Sequence, residues 1–230
     1  MFRLFLLLLL LSTLSRPIVA QHWVGSAGLQ YGSYSMKSLK ALQRSLLLSQ
    51  LPLEIVESYP SRTGFEISML RSFGKFTLGA FLTKASTGGR VSYADYYGSV
   101  NYDVIANNTI VGAQIEGALI KKETWEMFFS LREGVAFNTM KYKSTWSLGE
   151  NSSSQQEKFK SINLVVSPGF GVRVFYKNFF IHPEVRYETH FLKGDLHYSN
   201  NNDAYLEVNG EKSQVDWDGV RLSFSVGYRL

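Results

Sequence analysis

Residues 216–230 read DWDGVRLSFSVGYRL, and the alternation in them decides the fold. From Val220 onward, Leu222, Phe224, Val226, Tyr228 and Leu230 fall on one face, and Arg221, Ser223, Ser225, Gly227 and Arg229 on the other. Side chains alternate across a strand with period 2, so this is a β-strand with one greasy face and one small, charged face. A strand that closes the chain must pair on both edges or leave one open. A closed sheet, in which this strand zips against the first, is the simplest expectation.

Composition agrees. A chain of 230 residues without Cys suits one all-β domain of barrel size. It has no disulfide framework, no Cys-based metal site and no lipid-bearing Cys. Of the 24 basic residues, Arg3 and Arg16 lie in an N-terminal leader, which leaves the rest only three ahead of the 19 acidic ones. So small an excess does not argue for nucleic acid. The leader, residues 1–20, has Arg3, an unbroken apolar run Leu4–Leu11 and an ending Ile18-Val19-Ala20. That is the layout of a secretory signal peptide cut between Ala20 and Gln21. Its apolar core is shorter than the roughly 20 residues of a spanning helix.

The rest of the chain is predicted to form the barrel, residues 21–230. The first strand is His22–Tyr34. Residues 35–51 follow, where Ser35 could cap a helix carrying Leu39, Leu42 and Leu46 on one side and Lys37, Lys40 and Arg44 on the other. The second strand is Thr63–Leu70 and the third Phe76–Thr87, with a polar bend at Gly88–Ala94. The fourth, about Tyr96–Ile120, changes phase: Val100, Tyr102 and Val104 are even, whereas Val111, Ala113 and Ile115 are odd. A bulge or a membrane boundary near Asn107-Asn108 would account for this. The fifth strand, Trp125–Thr145, leads through a polar loop at Gly149–Glu157 to the sixth, Phe159–Tyr176. The seventh, Phe179–Tyr198, leads through a polar loop at Asn200–Ser213 to the last. Pro168 and Pro183 interrupt ladder donation, so bulges are expected there. Eight antiparallel strands result, with tight turns at one end and longer links at the other. That is an up-and-down transmembrane β-barrel with a short helix in the first long loop.

Volume decides which face points inward. An eight-stranded barrel holds only modest side chains. Trp23, Phe65, Phe129, Phe170 and their like are too bulky for it, so the aromatics face lipid and the charges point in. The lumen set is Glu66, Glu116, Arg132, Arg173, His182, Glu184, Arg186, Glu188, His190, Arg221 and Arg229. Its mixed signs could pair across a narrow interior, as buried charges must. Trp23, Phe76, Trp125, Tyr176, Phe179 and Tyr228 form an aromatic girdle near the short-turn end. Tyr31, Tyr96, Phe137, Phe191 and Trp217 fall toward the other end.

The leader, the eight strands and the terminal Val226-Gly227-Tyr228-Arg229-Leu230 resemble the small bacterial outer-membrane β-barrel proteins of the OmpA/OmpX-like group, particularly the Bacteroidetes versions. The resemblance covers nearly the whole mature chain and rests on pattern rather than signature. Such barrels usually end in an aromatic residue read by the assembly machinery; here Leu230 is last and Tyr228 stands two before it. The resemblance implies an outer-membrane protein of a Gram-negative cell. Its partners would be membrane lipid, the barrel-assembly machinery through the last strand, and a possible extracellular ligand on the loops. A monomer without a cofactor is implied.

The most chemistry-bearing cluster is His182, Glu184, Glu188 and His190, on one face of the seventh strand. His and Glu are metal ligands, and some outer-membrane barrels modify lipid A with His and Ser. Neither a nucleophile–base pair nor a phosphate-cradling loop accompanies the cluster, so a polar network answered by Arg132, Arg173 and Arg186 is the stronger reading. The expected role is non-enzymatic: structural, or surface interaction and adhesion. A small-solute channel and a lipid A-modifying enzyme are the alternatives.

Overall fold

The computed structural model describes residues 22–47 and 52–230. The signal peptide, its cut at Ala20–Gln21 and the last four positions of the expected loop helix lie outside the described residues. In chain order the elements are β1 (Trp23–Gly32), α1 (Lys37–Leu46), β2 (Glu54–Ser58), β3 (Arg62–Phe73), β4 (Phe76–Ala94), β5 (Gly98–Lys121), β6 (Trp125–Leu148), β7 (Asn151–Tyr176) and β8 (Phe179–Lys193). The short strands β9 (His197–Tyr198), β10 (Asn201–Tyr205), β11 (Glu207–Val208) and β12 (Glu211–Lys212) precede β13 (Gly219–Arg229).

The last strand closes on the first. β13 pairs antiparallel with β1 on one edge and β8 on the other, and β1 also pairs with β3, so β1, β3 to β8 and β13 make a ring of 8 strands. Stagger follows from the pairing. Tyr228 faces Gly25, and the row continues through Met69, Ala80, Ala113, Glu133, Val166 and Thr189. Thr189 adjoins the Glu188–Gly219 pair, so one circuit climbs β13 by about ten residues. Closure with such stagger goes with strands tilted by roughly 35–45°.

The ring is lopsided. β4, β5, β6 and β7 have 19, 24, 24 and 26 residues, whereas about 9–11 suffice to cross a bilayer. Their upper halves stand on as a wall, widened by β2 on β4 and β9 on β7. The excess in β5 to β7 amounts to roughly 30 Å of height. Two expected loops are therefore strand. Ala94 still pairs with Ser99 across the supposed bend, and Asn151 pairs with Leu148 where a polar loop was expected. Polar, Gly-rich composition marked these stretches as loop. A sheet with neighbours on both edges has its backbone groups paired whatever its side chains.

The phase change in β5 is not a slip. Its register against β4 and β6 runs unbroken past Asn107 and Asn108. Val104, Ala106, Asn108, Ile110, Gln114 and Glu116 are all buried, so even positions stay inside throughout. What inverts is polarity: low on the strand the inside is polar and the outside apolar, and high on it the reverse holds. The change marks a boundary between two surroundings. Nor do the prolines make bulges. Register is the same on either side of Pro168 and Pro183, because an exposed proline drops one ladder bond without adding a residue. The bulge on this edge lies at Phe191, where Leu164 pairs with Leu192 and Val165 with His190.

Above the ring sits a dry cap. Met36, Leu39, Tyr59, Met140, Phe159, Leu196, Val215 and Trp217 are buried together. α1 packs against β4 and β11 with Leu39, Leu42 and Gln43 facing in. Ser35 does not cap it. Met36, at φ 45°, is the capping residue, and the Ser35 hydroxyl donates to the Asp216 carbonyl at 3.1 Å. The reason is tertiary: Ser35 N–H and Met36 N–H donate to the Asp218 and Asp216 carbonyls, which hold this turn against the approach to β13. Gln43 donates to the Glu57 carbonyl at 2.7 Å and accepts from Ser58 at 3.0 Å, tying the helix to β2. Gly89 makes room for it, since a Cβ there would lie 2.4 Å from the Gln43 amide. Burial pushes the Tyr59 phenol in this cap above its ordinary pKa, and its hydroxyl lies 3.4 Å from the Leu39 carbonyl, to which it donates.

Candidate functional site

Alternation on eight tilted strands delivers every second side chain into the ring, where these residues stack in layers. In the lowest, Arg173 donates to Glu116 at 2.8 Å and also to Glu126. Its guanidinium lies 4.9 Å from the Phe128 ring centre and 5.0 Å from that of Phe180. Glycines leave space for those rings: a Cβ on Gly227 would stand 2.0 Å from Phe180. Gly227→Val should therefore overpack the lumen floor and cost about 1–3 kcal/mol, read as an earlier urea midpoint of the folded barrel. Below this layer a small polar hollow opens at the short-turn end, with His22, Lys75, Lys121 and Arg229 at its walls.

The middle layer is a balanced quartet. Arg186 donates to Glu184 at 2.5 Å and Glu66 at 2.7 Å; Arg132 donates to the same two carboxylates at 3.1 Å each. Ser225 donates to Glu66 at 2.8 Å, and Ser130 donates to Glu184. Gln30 and Ser223 accept from Arg186 at 3.3 and 3.1 Å. The Glu184 side chain is 0% exposed and that of Arg186 2%. Such charges persist in an interior only as a paired, hydrogen-bonded set. In the upper layer Arg221 donates to Glu188 at 2.7 Å, to the Ser33 carbonyl at 2.6 Å and to the Trp217 carbonyl. His190 lies between Asn163 and Glu188. Asn163 Nδ2 donates to its Nδ1 at 2.9 Å, which leaves Nε2–H to donate to Glu188 at 3.2 Å.

Ten of the eleven lumen residues named from the sequence are buried here: Glu66, Glu116, Arg132, Arg173, His182, Glu184, Arg186, Glu188, His190 and Arg221. Arg229 differs. It is half-buried and makes no ion pair among the described residues; its guanidinium stacks 3.5 Å from the Phe175 ring centre. Glu126, Gln30 and Ser130 belong to the layers and were missed. The signal was available, since Glu126 and Ser130 share the phase of Arg132, and Gln30 stands on the polar face of the first strand. The His182–His190 cluster does not converge. His182 and Glu184 lie in the middle layer, 3.5 Å apart, and Glu188 and His190 in the upper. Arginines occupy both carboxylates, and no group of three or more metal-ligand side chains comes together among the described residues.

Outside the ring the chemistry is opposite. Leu29, Phe65, Ile67, Leu78, Val111, Ile115, Phe170, Val185, Leu222 and Phe224 are exposed right around the circumference. Soluble monomers do not expose a continuous apolar surface of this extent. At its lower edge Trp23, Phe76, Tyr176, Phe179 and Tyr228 are exposed and Trp125 half-buried. At the upper edge Tyr31, Phe137 and Phe191 are exposed. Two expected members of that edge belong elsewhere. Trp217 is 0% exposed, edge-on to Tyr34 at 4.8 Å in the cap core, and Tyr96 projects from the tip of the wall. Two charges break the apolar belt, neither with a side-chain partner among the described residues: Lys84, exposed on β4 beside Phe65 in its top row, and Glu133, exposed on β6 between Ala113 and Val166. No described helix is long and apolar enough to cross a membrane, which leaves strands unaddressed.

A closed antiparallel ring with paired charges inside and an apolar belt outside has the architecture of an eight-stranded up-and-down β-barrel of the transmembrane kind. The solved structures similar to the chain include Ail of Yersinia pestis, at 15% identity over 92% of this chain and 100% of that one, with a TM-score of 0.39. They include Neisserial surface protein A, at 14% over 91% and 97% with a TM-score of 0.41. They also include the outer membrane protease OmpT of Escherichia coli, at 10% over 95% and 100% with a TM-score of 0.42. No family model and no curated protein matches the chain.

Proposed function

We propose that this protein is an integral outer-membrane barrel, sealed and non-enzymatic, which anchors a stiff β-wall on the cell surface as a platform for interaction or adhesion. The apolar belt around a charge-filled ring carries the reading. Exposed Phe, Leu, Ile and Val have their solvent in lipid, and the charged interior has its counter-charges within itself. The wall is a continuous sheet whose tip exposes Tyr96 (96%) and Tyr97 (73%). Asp95 stiffens that turn, accepting from the Tyr93 hydroxyl at 2.8 Å and from Tyr97 N–H and Gly98 N–H. These bonds hold its carboxyl below the usual Asp range, the Tyr93 bond most of all. Aromatic side chains on a rigid scaffold are suited to partner recognition at low entropic cost. In this reading the three charge layers and the cap above them plug the ring against solutes.

Fractionation with gel electrophoresis tests the placement. The protein should pellet with outer membranes and run as a compact band when unheated, shifting on boiling. Soluble periplasmic protein without a heat shift would overturn it. In planar bilayers the purified barrel should give no steady current; salt-dependent steps would favour the channel instead. An unchanged lipid A mass spectrum with and without the protein is expected, and a modified one would restore the enzyme reading. Glu133 offers a test of which face meets lipid. Glu133→Leu should stabilise the barrel in lipid vesicles by about 1 kcal/mol, measured by urea titration. A stability loss would mean that this face meets water.

A further inference from the structure

We infer that the outer face of β6 and β7, just above the apolar belt, is a docking surface for the phosphorylated headgroup of an outer-leaflet lipid. The inference rests on the membrane placement proposed above. Lys141 and Lys143 on β6 and Lys158 and Lys160 on β7 all project outward and are exposed. Lys141 and Lys158 are direct cross-strand partners. Like charges placed opposite one another destabilise a sheet, so this pair costs stability unless an anion lies against it. None is supplied from within. Among the described residues the Lys141, Lys143 and Lys158 side chains have no hydrogen-bond or ion-pair partner, and the Lys160 ammonium reaches only the Ser199 carbonyl at 3.4 Å. The acidic neighbour across from Lys143, Asp103, is held by Arg90 at 2.5 Å.

Height identifies the occupant. Phe137 pairs with Ile162 in the top row of the belt. The next outward row up holds Thr139 and Lys160, and the one above it Lys141 and Lys158. Each step along a strand pair is about 7 Å, so the ammonium groups stand at the headgroup level of a bilayer that fits the belt. The cluster is convex and open, with no buried donor, and cannot hold a small anion from bulk water. A lipid phosphate differs because its own acyl chains, lying on Phe137, Ile162 and Leu164, keep it at this height. Basic residues at that level attract anionic headgroups.

The test is native mass spectrometry of the purified barrel released from nanodiscs of three compositions: phosphatidylcholine alone, with bisphosphorylated lipid A, or with the same glycolipid dephosphorylated. The wild-type protein should retain bisphosphorylated lipid A and not its dephosphorylated form. The quadruple variant K141Q/K143Q/K158Q/K160Q should lose about tenfold or more of that retention, with the same heat-shifted band as wild type. Lys141→Glu gives Lys158 a cross-strand partner, so it should raise the unfolding midpoint while lowering retention, which separates binding from folding. Equal retention of the dephosphorylated lipid, or retention unaffected by the glutamines, would overturn the proposal. Displacement by millimolar inorganic phosphate would also overturn it, pointing to a bulk anion as ligand. A protein without a heat shift fails the membrane reading itself, whereas a heat-shifting barrel without lipid adducts fails this inference alone.

Discussion

Arg186→Met should destabilise the folded barrel by roughly 3–5 kcal/mol, among the largest single losses open to this chain. Arg186 is the donor that joins Glu66 to Glu184, at 2.7 and 2.5 Å, in a layer where every member is buried. Methionine keeps the stem and removes the charge. Two carboxylates then face Arg132 alone, one of them uncompensated in the interior. An equilibrium urea titration of the barrel in detergent or vesicles reads the loss. Arg186→Met combined with Glu184→Leu should recover at least half of it, because the pair left behind, Arg132 and Glu66, is neutral. A cost below about 1 kcal/mol for the single change would mean that water screens the quartet. The lumen would then be wet, and the sealed reading would fall with it.

Trp217→Ala should loosen the cap and leave the ring standing. Trp217 is fully buried against Tyr34, and deleting a buried Trp costs about 3–5 kcal/mol. The loss falls on the segment between β1 and β3 and on the short strands before β13, whose shared core is this cluster. Limited proteolysis should cut α1 and its flanks faster, while the heat-shifted band persists. Trp217→Phe should be tolerated, since the indole N–H has no partner among the described residues and only volume is lost. Bilayer conductance should stay absent in both variants, because the charge layers below the cap still close the ring. Current appearing in Trp217→Ala alone would instead make the cap the seal.

Most of the ring was legible before any coordinate. Trp23, Phe65, Phe76 and Phe224 showed their outward face and Glu66, Arg132, Arg186 and Arg221 their lumen face, because a strand carries its two surroundings in alternate residues. The tight turns at one end were legible for a similar reason, as local departures from that period. Misreadings cluster where polarity stood in for conformation. Residues 151–157 are polar on both faces, and residues 88–94 are Gly or polar apart from Val91, Tyr93 and Ala94, so both stretches imitate loops. Arg229 has the inward phase but lies at the open rim, beside Phe175 rather than a carboxylate, and its layer is set by the stagger of the ring.

The sequence by itself determined the barrel, its strand order and which side of each strand faces the lumen, since period-2 alternation is a local property of consecutive residues. The tertiary structure decided the rest. It paired Arg186 with Glu66, 120 positions away, drew Ser35 from a helix cap to the Asp216 carbonyl, and turned Trp217 from an expected lipid anchor into the centre of a dry cap. Those outcomes depend on how far one strand is staggered past the next around a closed ring, and stagger is a sum over all eight pairings that no single stretch encodes.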